Sequence, residues 1–232
     1  MCFKLKNYYE YIKPKNAVKY DNPNYDVVDM KHPFRIIGIG ASGTGKTNTL
    51  LNIIESFNGT FEIIKIVCKM PDEPLYKLLS EKIPPEQLIF YKTLADLPNP
   101  DNLGHNEYQQ LLIFDDQVAE TDQKIIEEYY LRGRKIGKGV SMAYLSQSYY
   151  NIPSIVRKNI NHIIFSRVSG KRDLNLILAE YAIGIEKEDL LKMYKYAIKH
   201  GFFKINIDSN NINEKFSINF TDFYIVEKDN YI

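Results

Sequence analysis

Six short apolar runs punctuate the chain from residue 34 onward: "FRIIGIG" (34–40), "FEIIKIVCK" (61–69), "LIFYK" (88–92), "LLIFDD" (111–116), "GVSMAYLSQ" (139–147) and "NHIIFSRV" (161–168). Several are apolar almost without interruption, as strands buried on both faces must be. Between them lie stretches with helical patterning, at 45–57, 73–82, 122–135, 153–160, 171–182 and 187–199. Strand-like and helix-like segments in alternation predict an α/β fold, a mainly parallel sheet with helices packed on it.

The two ends of the chain depart from this rhythm. Residues 1–31 carry Lys4, Lys6, Lys13, Lys15 and Lys19 among tyrosines and prolines without periodicity. They are expected to form an irregular, solvated basic lead-in, with contact to nucleic acid as the alternative. Residues 32–200 would be the core. The tail 201–232 has two or three β-leaning runs around the turn-rich "DSNN" and predicts a small β-rich extension that closes the sheet edge or caps the domain.

Composition narrows the classes. With 232 residues, 44% of them hydrophobic and 25% charged, the chain can bury one sizeable core, which sets aside disordered and collagen-like readings. A net charge of +1 gives no global pull toward a polyanion, so any nucleic-acid contact must come from local patches. Cys2 and Cys68 and the scattered His32, His105, His162 and His200 have neither zinc-site spacing nor the density of a disulfide framework, which fits a reducing compartment. No stretch approaches the roughly 20 apolar residues that span a bilayer, and "MCFKLKNYYEYIKPK" lacks the apolar centre of a signal peptide. A soluble protein with no membrane partner is expected.

Candidate chemistry begins where the first apolar run ends. Gly40, Ala41, Ser42, Gly43, Thr44, Gly45, Lys46 and Thr47 match GxxxxGK[ST] between a strand and a helix, and Asn48 follows in the helix's first turn. Glycines let the backbone curl until successive N–H groups point at a phosphate, and the helix adds the positive end of its dipole. Lys46 can then reach the β- and γ-phosphates of ATP while the Thr47 hydroxyl holds Mg²⁺.

A second acid is needed for hydrolysis, and "LLIFDD" ends in two at the carboxyl end of a buried strand. Asp115 is placed to hold the magnesium through its water shell, as a Walker B carboxylate does, and Asp116 to polarise the attacking water. The competing role for Asp116 is to cap a helix beginning near Thr121. Gln147, ending the strand "AYLSQ", can sense the γ-phosphate or simply terminate a strand. Arg132, Arg134, Lys135 and Lys138 crowd "YYLRGRKIGKG". An arginine finger acting on a neighbouring subunit, a DNA-phosphate contact and a solvated helix end all remain open for this cluster.

The ordered set "GIGASGTGKTNTLL", "LLIFDD", "LRGRKIG" and "YLSQSYYNIPSIVRKNINHIIFSR" resembles the DNA-packaging ATPases of nucleocytoplasmic large DNA viruses and virophages, in the FtsK/HerA branch of P-loop ATPases. The resemblance covers about residues 30–185. It implies a RecA-like core with an extra strand between the P-loop and Walker B strands, and a homo-oligomeric ring that hydrolyses ATP to drive double-stranded DNA into a capsid. Residues 40–47 would then hold ATP, Asp115 the Mg²⁺, Asp116 the water, Gln147 the sensing contact, and Arg134 or Arg132 the neighbour's phosphate, with Arg157 in "SIVRKN" as the competitor for that last role. It also implies capsid or portal partners and a place in the host cytoplasm, at the viral factory, or in the virion. A different P-loop ATPase, of DNA-transfer or helicase-loader type, and a nucleotide-gated binding module are the alternatives.

Overall fold

The computed structural model describes residues 21–182 and 184–225. Among the described residues nine strands form a single sheet: β1 (Arg35–Ile39), β2 (Ile63–Val67), β3 (Leu88–Tyr91), β4 (Gln110–Asp115), β5 (Val140–Ser146), β6 (His162–Phe165), β7 (Phe203–Asn206), β8 (Phe216–Ile218) and β9 (Asp222–Phe223). Their order is β3-β2-β4-β5-β1-β6-β7-β8-β9. The first six in that row are parallel, and β7, β8 and β9 continue the sheet antiparallel. The helices are α1 (Tyr25–Val28), α2 (Lys46–Ser56), α3 (Pro74–Lys82), α4 (Lys124–Arg132), α5 (Ser154–Lys158), α6 (Lys171–Tyr181) and α7 (Lys187–Ala197).

Side chains alternate across a strand, so each central strand feeds two cores. On one face Ile36, Ile66, Leu111, Ile113, Ala143 and Ile164 pack with Leu50 and Ile53 of α2 and Tyr76 and Leu79 of α3. On the other, Ile37, Val67, Leu112, Phe114, Met142, Tyr144 and Ile163 meet α4 through α7, including Tyr129, Tyr130, Val156, Ile177, Leu178 and Tyr194. Burial on both faces is why these runs read as unbroken apolar stretches.

Two expectations need correction. The end of the lead-in is packed rather than solvated: α1 forms there, and Val28 and Met30 are fully buried in the α2–α3 core. Residues 1–20 lie outside the described residues. The helix expected over 122–135 is shorter, with α4 giving way at Gly133 to a 3-10 turn. A β-carbon on Gly133 would sit 2.7 Å from the Met142 side chain, so that position is closed by the sheet beneath it. The tail is the expected β-rich extension: β7, β8 and β9 continue the sheet beyond β6, while residues 226–229 of the expected run lie outside the described residues.

Candidate nucleotide-binding site

The parallel register brings three strand ends to one level. Ile39 pairs with Ser146, and Asp115 pairs with Leu145. Just beyond, Gly40 N donates to Ser146 O (3.1 Å) and Asp116 N donates to Leu145 O (3.0 Å). The glycine-rich loop, the paired acids and Gln147 therefore leave the sheet side by side, with β5 as the strand inserted between the P-loop strand β1 and the acid-bearing strand β4.

The loop of residues 40–45 curls tightly. Thr44 Oγ1 donates to Ala41 O (2.7 Å), and Ala41 N donates to Arg167 O (2.9 Å), tying the loop to the chain after β6. Gly43 and Gly45 have φ of 71° and 83°, where a side chain is strained. At Gly40 a β-carbon would lie 2.4 Å from Ser166 Oγ and 2.5 Å from Thr44 Oγ1. Gly45 then caps α2, whose first residue is Lys46.

A cavity of about 550 Å³ opens above these strand ends, lined by Ser42, Gly43, Gly45, Lys46, Thr47, Asn48, Asp115, Asp116 and Gln147 among others. Gly40, Ala41 and Thr44, expected in the phosphate cradle, belong to the same loop but are not part of the cavity lining. Lys46 Nζ donates back to Ala41 O (3.3 Å). Burial lowers the Lys46 pKa, against the opposing charges of Asp116 and Asp115. For Asp115 burial pushes the pKa up, Tyr76 and Lys46 oppose the shift, and Asp116 and Glu73 add to it.

Asp116 adopts the left-handed conformation (φ 52°) directly after the strand, and it lines the same cavity as Asp115. Its carboxylate makes no capping bond to the 3-10 turn Gln117–Ala119, and α4 begins only at Lys124 after Gln123, so the capping role considered for Asp116 is not met. Instead Gln147 Nε2 donates to Asp116 Oδ2 (3.0 Å). Gln147 thus engages the second acid itself.

A magnesium ion suits this donor set. The Thr47 hydroxyl and the Asp115 carboxylate line the same cavity, and among the described residues no cluster of three or more His, Cys, Asp or Glu forms a cation cage. Mg²⁺ keeps several waters and binds through one or two protein oxygens plus phosphates, so a sparse protein set beside a phosphate loop is the expected one.

The basic residues lie elsewhere. Arg132 ends α4 and pairs with Asp101, and Arg134 sits in the 3-10 turn leading to the start of β5, with its charge acting on Arg35 at the start of β1. Both are at the amino ends of the strands, at the opposite edge of the sheet from the cavity. Arg157 is held within its own subunit, donating to Glu180 Oε1 (2.8 Å) and Ile152 O (3.2 Å) and lying over the Tyr149 ring.

The cavity has a wall that the motifs did not reveal. Cys68, Lys69, Met70, Glu73, Leu75 and Tyr76, from the end of β2 into α3, line it. Lys69 pairs with Glu120 (2.7 Å), and Tyr76 OH donates to Asp115 Oδ2 (2.6 Å). Burial and the neighbouring Asp115 push the Tyr76 phenol far above its ordinary pKa, so it remains a donor. Burial likewise moves the Cys68 thiol to about 11, leaving it unreactive near neutral pH. The one available signal was topological: β2 adjoins β4, so the segment after β2 overhangs Asp115.

In comparison with known protein families, the model described as Poxvirus A32 protein matches residues 24–207. The chain belongs to the poxvirus A32 protein family. Among solved structures it is similar to the genome packaging NTPase B204 from Sulfolobus turreted icosahedral virus 2. The sulfate complex of that protein has a TM-score of 0.52 and 16% identity over 78% of this chain and 95% of that one, and the ATP-gammaS complex has 0.52 and 15% over 78% and 96%. The DNA-packaging ATPase B204 from Sulfolobus turreted icosahedral virus gives 0.51 and 14%, over 82% and 96%. At these identities the likeness speaks for the fold, a P-loop NTPase core. No curated protein matches the chain. Among the described residues no helix is long and apolar enough to cross a membrane.

Proposed function

We propose that this chain is a viral genome-packaging ATPase, which hydrolyses ATP to move double-stranded DNA into a capsid. The observation that carries the proposal is the convergence of Lys46, Thr47, Asp115 and the Asp116–Gln147 pair on one cavity at the carboxyl ends of adjacent parallel strands. Membership in the A32 family and the likeness in fold to B204, a genome packaging NTPase by its own description, support the choice of substrate.

The amides of residues 40–47 and the amino end of α2 bind the phosphates, and Lys46 leaves Ala41 O to follow the γ-phosphate as charge develops on it. Mg²⁺, when bound with ATP, neutralises phosphate charge, and Thr47 and Asp115 are the residues that would hold it. Asp116 takes the proton of the attacking water, and the Gln147 amide holds that carboxylate in place. Positioned general bases contribute typically about 10²–10⁴-fold. A homo-oligomeric ring would bring Arg134 or Arg132 of one subunit toward the next subunit's site, since neither lies near its own. Capsid or portal components, and a location in the host cytoplasm or virion, belong to the same proposal.

Steady-state ATPase assays with and without duplex DNA test it. Turnover should rise with duplex length and vanish in Lys46→Ala. A rate indifferent to DNA would point to another P-loop ATPase, and tight nucleotide binding without turnover to a gated binding module.

A further inference from the structure

Five tyrosines among the described residues are fully buried, and their hydroxyls find partners in different ways: Tyr144 donates to the Gln123 side chain and Tyr149 to Glu180, both away from the strand-end carboxylates. Tyr129 donates to Pro98 O (2.6 Å) and Tyr130 to Ile36 O (2.8 Å), the ordinary solution in which a buried phenol satisfies itself on a backbone carbonyl. Tyr76, only 1% exposed, donates instead to the carboxylate of Asp115 at the nucleotide cavity. Its ring is set edge-on to Phe90, with centroids 5.7 Å apart, and it belongs to the α2–α3 core. The hydroxyl therefore approaches Asp115 from a fixed platform.

We propose that Tyr76 is a positioning residue for magnesium, holding the Asp115 carboxylate in the orientation in which it receives the ion carried by the nucleotide. The proposal rests on the ATPase assignment and adds to it a residue outside the P-loop and the paired acids. Tyr76 fixes the carboxylate through Asp115 Oδ2, and the remaining lone pairs of the carboxylate would receive the ion or its water shell. Gln117 Nε2 donates to Asp115 O (2.7 Å), so the residue is held at its backbone as well as at its carboxylate. A ligating carboxylate fixed in this way loses less freedom when the ion arrives, and removing such a supporting hydrogen bond typically costs about 10–100-fold in metal affinity. The connection also joins the wall formed by β2 and α3 to the metal: Pro74 starts α3, and Tyr76 in its first turn reaches back over the end of β4.

The test is Tyr76→Phe, which keeps the ring and removes the hydroxyl. Mn²⁺ in place of Mg²⁺ is titrated into the full chain saturated with a non-hydrolysable ATP analogue and followed by electron paramagnetic resonance. Mn²⁺ affinity should fall at least about tenfold, while affinity for the analogue in EDTA stays within about twofold of wild type. In an Asp115→Asn background the same change should add nothing. Equal Mn²⁺ affinity in wild type and Tyr76→Phe overturns the proposal, as does an equal loss of nucleotide binding with and without metal. Loss of the native fold in Tyr76→Phe also overturns it, because the hydroxyl would then serve the core. If wild type itself binds no metal–nucleotide complex, the ATPase assignment fails instead, which is a separate result.

Discussion

The two ends of the sheet treat charge in opposite ways. At the carboxyl ends of β1, β4 and β5, Lys46, Asp115, Asp116 and Gln147 are drawn into one cavity, each held by a hydrogen bond to the loop or to a neighbouring side chain. At the amino ends of the same strands, Arg132, Arg134, Lys135 and Lys138 spread over an exposed turn, and Arg35 is half-buried beside Arg134. Strands of this length separate the two ends by about 17–23 Å at roughly 3.3 Å per residue. Convergent, partly buried charge can act on a bound molecule of its own subunit. Dispersed charge at that distance acts only on something brought to it, whether a second subunit or a polyanion.

Five substitutions would break or sharpen this contrast. Lys46→Ala removes the one cation of the cavity's phosphate loop, and kcat is expected to fall by about 10³-fold or more in an ATPase assay, with the fold intact by circular dichroism. Gly137→Ala attacks the opposite end. Its φ is 50° and a β-carbon would fall 2.2 Å from Asn106 O, so urea unfolding should show a loss of about 2 kcal/mol while nucleotide affinity of the remaining native protein is unchanged.

Gln147→Ala frees the Asp116 carboxylate without removing it, and a drop in kcat of about tenfold is expected with little change in nucleotide affinity. A matching rise in Kd for the nucleotide would show that Gln147 binds the ligand instead. The smallest effect belongs to Arg132→Ala and Arg134→Ala. Measured on dilute single subunits, nucleotide affinity should stay within about twofold of wild type, because neither residue reaches its own cavity; a tenfold loss would mean that the two ends of the sheet communicate within one chain.

Legibility followed the range of the interactions involved. The P-loop is a local device, in which glycines, lysine and threonine act within eight residues, and it could be read without a partner strand. The strands of the core were equally plain, because burial on both faces leaves an unbroken apolar signature. Asp115 and Asp116 could be singled out from their place at a strand end, but the left-handed backbone at Asp116 could not. Gln147 looked like a sensor of bound phosphate, and its bond to Asp116 needs the β4–β5 register, which no single segment encodes. Val28 and Met30 were missed because a single helical turn carries too few residues to show a period. Tyr76 was missed because an aromatic in a helix's first turn looks the same whether it faces core or ligand.

Sequence alone determined most of the elements, the glycine-rich loop between β1 and α2 and the place of the two acids at a strand end, since each is written in residues close along the chain. Tertiary structure decided which strands are neighbours, and with that the Gln147–Asp116 bond, the Tyr76–Asp115 bond and the placement of the arginines at the far edge of the sheet. Those outcomes join residues tens of positions apart through backbone pairing and close packing. They exist only once the sheet has chosen its order.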